Sequence, residues 1–270
     1  MTFFRASEDF SLGLERTGGF ETVAFCEIET YCRAVLAKHW PGVKQYNDVR
    51  TLTADTLRSD GITVNVICGG FPCQDISTAG KGAGMAGERS GLWREYARII
   101  GELRPQFVIV ENVSALLGRG LADVLGDLAT LGYDAEWHCI PASAVGAPHR
   151  RDRVWIVANA TQKLLNGRGF AESDKSPQSA NVGCYVANAN PRDEFGRRSA
   201  VQMGWGRFAS EAIKNGNAAG IEWRVEPEVG RVAYGISSRV DRLGALGNAV
   251  VPQVVEIIGR AILEAEGLTP

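Results

Sequence analysis

Apolar and polar positions alternate in two different ways along the first 158 residues. Short apolar runs rich in β-branched residues predict strands at 21–27, 64–68, 106–110, 135–140 and 153–157. The stretches between them predict helices at 30–40, 92–103 and 121–131, each stopped by a proline or glycine just beyond its end. Strands that alternate with helices favour an α/β fold with a mainly parallel sheet covered by helices on both faces.

The pattern changes after Ala158. Residues 161–220 are rich in Gly, Asn, Ser and Ala, carry eight Lys/Arg against five Asp/Glu, and show little periodicity. They predict a small loop-rich insert, although a partly ordered linker has the same composition. Helical spacing returns at the end of the chain, at Val251, Val254, Val255, Ile258, Ala261 and Ile262. We therefore expect a first domain at 1–158, an insert at 159–222 and a C-terminal segment at 223–270 that returns to the first domain.

Composition narrows the classes of protein only moderately. The 270 residues are 45% hydrophobic with a formal net charge of -2, so any basic surface for nucleic acid must be local. The six cysteines form no CxxC pair, which argues against a zinc ribbon or a secreted disulfide framework. The start lacks the layout of a signal peptide, and no apolar run looks long enough to span a membrane. A reducing cytoplasm is the expected location.

One cysteine stands where α/β proteins place their chemistry. Cys73 follows the predicted strand at 64–68, after two glycines and Pro72 that end the strand and begin a loop. Ligands of open α/β sheets bind at the carboxyl ends of strands. A thiolate presented there is a candidate nucleophile, although an arbitrary cysteine is more often a small buried hydrophobic residue.

Three further signals lie at strand or helix ends. Glu111 comes directly after the predicted strand at 106–110, where a buried carboxylate is costly unless it serves a partner. Arg151 and Arg153 alternate onto one side at the start of the strand at 153–157 and would suit an anion or a polar heterocycle. Asn248 lies in a turn ahead of the last helix. Each of these also has an ordinary structural explanation: a capping acid, a solvated basic edge and a plain turn.

Four motifs occur in order along the chain: Gly-Phe-Pro-Cys-Gln at 70–74, Glu-Asn-Val at 111–113, Arg-Asp-Arg at 151–153 and Gly-Asn-Ala-Val-Val-Pro at 247–252. With these motifs the chain resembles DNA cytosine-5 methyltransferases of the short bacterial or phage type. The glycine-rich stretch at 77–93 resembles the mobile loop that follows the catalytic cysteine in that family. The resemblance covers nearly the whole chain except the insert, and it implies a Rossmann-like methyltransferase sheet.

The resemblance implies a covalent mechanism on cytosine. Cys73 would attack carbon 6 of a base flipped out of the duplex, which makes carbon 5 nucleophilic. Glu111 would hold the ring at nitrogen 3 and the exocyclic amine. Arg151 would contact the base carbonyl, and Arg153 would support the catalytic loop or phosphates.

The resemblance also implies S-adenosylmethionine as the methyl donor, bound by the domain at 1–158. Glu27 would hold the ribose hydroxyls and Asp48 the adenine amine, while Ile28 and Val49 sandwich the adenine ring. The remaining donor-binding residues by resemblance are Phe4, Pro72, Asn248 and Val250.

Double-stranded DNA is the partner that the resemblance implies, read through a short site by the insert at 159–222 as target-recognition domain. A monomer is expected, with a separately encoded restriction endonuclease as a further partner of such enzymes. The candidate DNA contacts are Gln74, Ser77, Arg89, Arg168, Arg192, Arg197, Arg198 and Arg207.

The first motif of the family is altered in this chain. The family normally has Phe-x-Gly-x-Gly-Gly-Phe, and here Ala6, Glu8 and Asp9 replace the three glycines. Acidic side chains there would place negative charge near the carboxylate of the donor, yet the same residues are good at a helix N-terminus. A catalytically weakened or inactive DNA-binding paralogue, with these three residues in a degenerate cofactor loop, is therefore the alternative to a fully active enzyme. A cysteine hydrolase is a more distant one, because it would need a histidine base beside Cys73 and His149 is the only plausible candidate.

Overall fold

The computed structural model describes residues 1–3, 7–71, 91–161 and 239–268. These residues form a sheet whose strands are β1 (Thr2–Phe3), β2 (Ala24–Cys26), β3 (Lys44–Tyr46), β4 (Val66–Gly70), β5 (Phe107–Val113), β6 (Tyr133–Pro141) and β7 (Asp152–Ala160). The helices are α1 (Ser7–Glu15), α2 (Thr30–His39), α3 (Ala54–Ser59), α4 (Leu92–Leu103), α5 (Leu116–Arg119), α6 (Leu121–Thr130), α7 (Arg239–Asn248) and α8 (Pro252–Ala265). A 3-10 turn spans Ala142–Val145.

The strands form a seven-stranded sheet in the order β3-β2-β1-β4-β5-β7-β6. Neighbouring strands from β3 to β5 run parallel, and β7 runs antiparallel to both of its neighbours. The predicted α/β class with a mainly parallel sheet is therefore confirmed. The order reverses between β1 and β4, and ligands bind beyond the carboxyl ends of the strands at such a switch point. Strand β4 ends at Gly70, three residues before Cys73 in the sequence, and its carboxyl end lies at this same place.

Side chains of β5 alternate between two hydrophobic clusters, one on each face of the sheet. Val108 and Val110 belong to the cluster that includes Trp93 of α4, and Ile109 belongs to the cluster that includes Phe10 of α1. This period-two pattern is why a continuous apolar run forms a strand buried on both faces. Helices α4 and α6 cover one face, while α1 and α8 cover the other.

Close backbone contact joins α1 and α8. A Cβ atom on Gly13 would lie 2.5 Å from the carbonyl oxygen of Pro252 and 2.5 Å from Cβ of Val255. A Cβ atom on Gly259 would lie 3.0 Å from the Thr17 side chain. The two glycines therefore let these helices approach each other more closely than larger residues would allow.

Strand β5 is longer than the sequence pattern predicts. It continues to Val113, so Glu111 and Asn112 lie inside the strand and not directly after it. The reason is the partner strand, because β7 pairs Glu111 with Trp155 and Asn112 with Val154 and so extends the ladder past the apolar run. Strand β2 is shorter than predicted, at Ala24–Cys26.

The expectation that no apolar run reaches membrane-spanning length needs a correction. Among the described residues, the stretch Ala245–Ala265 is long and apolar enough by length and composition. The structure divides it between α7 and α8 and buries Val255 and Ile258 of α8 in the cluster that also contains Phe10. Its apolar character is explained by packing on the sheet.

Candidate active site

Asn112 fixes the chain where it leaves β4. Its Nδ2 donates a hydrogen bond to the carbonyl oxygen of Phe71 at 3.2 Å, and its Oδ1 accepts one from the amide of Val113 at 2.9 Å. Phe71 is buried and packs against Trp93, with ring centroids 5.4 Å apart. Phe71 lies two residues before Cys73 in the sequence, so Asn112 fixes the position of the chain just ahead of the candidate nucleophile. Asn112 belongs to the Glu-Asn-Val motif at 111–113, but the sequence alone indicates no role for it.

Glu111 is a buried carboxylate at the carboxyl edge of the sheet. Only 9% of the residue is exposed, and its Oε1 lies 2.8 Å from Nε of Arg153. Burial raises the pKa of Glu111 to about 7, against the opposing effects of Arg153 and Arg151. Gly70 leaves room for this carboxylate, because a Cβ atom there would lie 2.8 Å from Oε2 of Glu111. A carboxyl group that titrates near neutral pH is suited to giving or holding a proton.

Arg151 holds the C-terminal end of α7 and the residues that follow it. Its Nη2 donates a hydrogen bond to the carbonyl oxygen of Gly247 at 2.9 Å and another to that of Ala249. The backbone of Arg151 is left-handed, with φ of 39°, a conformation that costs a residue with a side chain about 1–2 kcal/mol. Arg151 and Arg153 therefore have different partners, since one binds backbone carbonyl groups and the other binds Glu111.

Asp9 reaches the same segment from α1. Its Oδ2 accepts a hydrogen bond from the amide of Val250 at 3.0 Å. Burial and the neighbouring Glu8 raise the pKa of Asp9 to about 7, while the Val250 amide and Arg151 favour its ionised form. The carboxylate that replaces a glycine of the first motif is thus directed to a backbone amide of the C-terminal segment.

A cavity of about 670 Å³ lies beside the carboxyl end of β2. Ile28 lines this cavity with 56% of its surface exposed, whereas Val49 is only 3% exposed and packs mainly into the core. Asp48 forms an ion pair with Arg50, with Oδ2 and Nη2 2.6 Å apart, and this pairing lowers the pKa of Asp48. The lining residues are Cys26, Ile28, Asn47, Asp48, Val49, Arg50, Gly91, Leu92, Arg94 and Glu95.

Residues 2–197 match the family model described as C-5 cytosine-specific DNA methylase. The chain belongs to this family. Type II methyltransferase M2.BsuMI of Bacillus subtilis is 30% identical over 232 residues, which cover 82% of this chain and 57% of the relative. Type II methyltransferase M.AluI of Cellulosimicrobium cellulans is 34% identical over 230 residues, which cover 77% of this chain and 44% of the relative. The chain therefore spans about half the length of these curated relatives.

A solved structure supports the α/β fold of the described residues. The Entamoeba histolytica methyltransferase EhMeth matches with a TM-score of 0.60 and 13% identity, covering 97% of each chain. At this identity the likeness concerns the fold alone.

The structure brings together part of the site expected for a C-5 cytosine methylase. Glu111, Arg153, Arg151 and the 247–250 segment meet at one edge of the sheet. Glu27, Ile28, Asp48 and Val49 lie at or next to the cavity beside β2, and Glu27 is buried with its Oε1 accepting from the amide of Glu29. Arg50 was not predicted as part of the site, although an arginine two residues after Asp48 is a signal for an ion pair. The expected residues outside the described parts of the chain are Phe4, Pro72, Cys73, Gln74, Ser77, Arg89, Arg168, Arg192, Arg197, Arg198 and Arg207.

The raised pKa of Glu111 predicts a pH dependence of stability. The ordinary pKa of this carboxyl is 4.5, so between pH 4.5 and about 7 the folded protein binds more protons than the unfolded chain. The contribution of Glu111 to the free energy of unfolding of the protein must then fall as the pH rises through this window and level off above it. Between pH 6 and pH 8 we expect Glu111 to contribute a loss of about 1 kcal/mol.

Urea unfolding at pH 6, 7 and 8 tests this expectation, with Glu111→Gln as the comparison. The glutamine variant should lose less stability than the wild type across the range, because it has no proton to release there. Asp9 titrates in the same direction and remains in both proteins. Parallel pH curves for the two proteins would show that Glu111 does not titrate in this window.

Proposed function

We propose that this chain is an S-adenosylmethionine-dependent DNA (cytosine-5-)-methyltransferase. It would methylate carbon 5 of a flipped-out cytosine in a short specific site of double-stranded DNA, through a covalent adduct with Cys73. The observation that carries the proposal is the buried Glu111, paired with Arg153 at 2.8 Å, beside the exit of β4 that leads to Cys73. Family membership and the nucleophile motif at 70–74 support it further.

The chemistry begins with the thiolate of Cys73, which adds to carbon 6 of cytosine. The electron pair of the ring double bond then moves toward nitrogen 3, where Glu111 holds or supplies a proton. Carbon 5 becomes nucleophilic and accepts the methyl group that bound S-adenosylmethionine supplies. Loss of the carbon-5 proton to water and departure of the Cys73 thiolate restore the ring double bond, and nitrogen 3 returns its proton to Glu111.

The arginines keep this edge of the sheet in order. Arg153 compensates the charge of Glu111 whenever that group is ionised, and it fixes the direction of the carboxyl plane through Oε1. Arg151 holds the 247–250 segment through backbone carbonyl groups. The family resemblance implies that Arg151 also contacts the base carbonyl. That contact would use the guanidinium N–H groups that do not take part in these two hydrogen bonds.

The residues beside β2 fit the adenosine part of the methyl donor. Ile28 presents an exposed apolar surface at a cavity of about 670 Å³, a volume within the range of ligand sites. Glu27 and Asp48 bring carboxylates suited to ribose hydroxyls and an amine. Asp48 would exchange its ion pair with Arg50, which is largely exposed to solvent, for the adenine amine.

The insert at 159–222 would read the DNA site through its arginines, and the enzyme would act as a cytoplasmic monomer. A separately encoded restriction endonuclease is the further partner that the family resemblance implies.

Transfer of a labelled methyl group to cytosine-containing duplex DNA tests the proposal. The wild type should label DNA, and Cys73→Ser should reduce labelling to background because a hydroxyl is far less nucleophilic near neutral pH. Equal labelling by both proteins would exclude Cys73 as the nucleophile. Absence of labelling by the wild type on a DNA pool that contains all short sites would contradict the enzymatic proposal.

The alternative is a DNA-binding paralogue without catalysis. Two observations favour it: the altered first motif, and the ion pair that occupies Asp48. Isothermal titration with S-adenosylmethionine separates the two functions, because the paralogue would bind DNA without binding the donor.

A further inference from the structure

Asp9 and Arg151 hold opposite ends of the same peptide group. The amide of Val250 donates to Oδ2 of Asp9 at 3.0 Å, across 241 residues of sequence. The carbonyl oxygen of Ala249, which belongs to that same peptide, accepts from Nη2 of Arg151. A carboxylate at the N–H and a guanidinium at the C=O match the two ends of the peptide dipole. This arrangement fixes the orientation of the peptide as well as its position.

The peptide group held by Asp9 and Arg151 lies where the candidate active site and the C-terminal segment meet. Arg151 also binds the carbonyl oxygen of Gly247, so the segment from 247 to 250 is held at both of its ends. Asn248 lies between these contacts. The side chain of Val250 is buried in the cluster that contains Phe10, one residue after Asp9.

We propose that Asp9 is a positioning residue, which together with Arg151 orients the 249–250 peptide and thereby sets Asn248 and Val250 beside the methyl donor. This inference rests on the proposed function. In this proposal the Asp9 carboxylate, which belongs to the altered first motif, stabilises the donor site. The charge that seemed to oppose the donor is directed to the Val250 amide.

A purely local role for Asp9 would be that of an acidic residue near a helix N-terminus. Asp9 is the third residue of α1, and Asp123 is the third residue of α6. Asp123 is exposed and far from the 247–250 segment in the fold, since α6 packs on the other face of the sheet. It therefore provides the matched control for the interaction of an acid with the helix dipole.

The first measurement is hydrogen exchange of the Val250 amide at pH 8 in Asp9→Ala, Asp9→Asn and Asp123→Ala, with folding checked by urea unfolding. Loss of a hydrogen bond to a charged group predicts about tenfold faster exchange in Asp9→Ala. Asp9→Asn should retain most of the protection because its amide oxygen can still accept. Asp123→Ala should match the wild type. Unchanged protection in Asp9→Ala, or the same loss in Asp123→Ala, would overturn the proposal.

The second measurement separates positioning from general damage. Asp9→Ala should weaken the affinity for S-adenosylmethionine and raise its KM about tenfold. Its kcat and its KM for DNA should stay within about twofold of the wild type. The positioning role would be contradicted if kcat and the affinity for DNA were impaired as strongly as the affinity for the donor. Unchanged donor affinity by calorimetry would contradict it as well. If the wild type bound the donor but transferred no methyl group, only the proposed function would fail, because calorimetry would still read the effect of Asp9.

Discussion

Replacing Glu111 by glutamine is expected to lower kcat for methyl transfer about 10²- to 10⁴-fold, the usual contribution of a positioned acid or base. Glutamine has nearly the same shape and can still bond to the base, but it cannot exchange a proton at nitrogen 3. It also leaves Arg153 without the carboxylate that lies 2.8 Å from its Nε. Steady-state transfer of labelled methyl groups to DNA, with both substrates saturating, measures the effect.

Glu136→Gln is the matched control for this substitution. Glu136 lies on β6, opposite Val157 of β7, and its partial burial also raises the pKa of its carboxyl. Losing that carboxyl should change kcat by less than about twofold, because it is not part of the proposed chemistry. If Glu111→Gln kept wild-type kcat while remaining folded, the carboxyl would have no proton-transfer role.

Strong local patterns explain which elements the sequence predicts well. Helix α4 has the predicted bounds, Leu92–Leu103, because its buried residues recur at helical spacing and a proline follows its end. Strand β3 and helix α3 were not predicted. Each is short, and Lys44–Tyr46 of β3 is only partly buried, so its structure comes from pairing with β2. Such elements depend on tertiary contacts that a local pattern does not contain.

The candidate site shows the same division. Glu111, Arg151 and Arg153 could be predicted from the sequence as site residues, because charged groups next to buried strands need partners. The ion pair of Glu111 with Arg153 could not be predicted, since it depends on the antiparallel register of β5 and β7. The contact of Asp9 with Val250 joins residues 241 positions apart, and no local feature of either residue indicates it.

Replacing Gly13 by alanine is expected to destabilise the protein by about 2–3 kcal/mol, through overpacking between α1 and α8. The new methyl group would lie 2.5 Å from both the carbonyl oxygen of Pro252 and Cβ of Val255. Neither atom belongs to the flexible end of a side chain, so the two helices must separate. The resulting strain exceeds the gain in helix propensity of about 1 kcal/mol that alanine normally brings.

Gly126→Ala in α6 isolates that propensity term. Gly126 also lies inside a helix, but a Cβ atom there would meet nothing within 4 Å, so this variant should gain about 0.5–1 kcal/mol. Urea unfolding of the two variants should therefore give changes of opposite sign. Equal stabilisation of both would mean that α1 and α8 pack more loosely than the structure shows. Asp9 belongs to α1 and Val250 lies two residues before α8, so separating these helices would also disturb the hydrogen bond between them. Gly13→Ala should therefore weaken the affinity for S-adenosylmethionine, whereas Gly126→Ala should leave it unchanged.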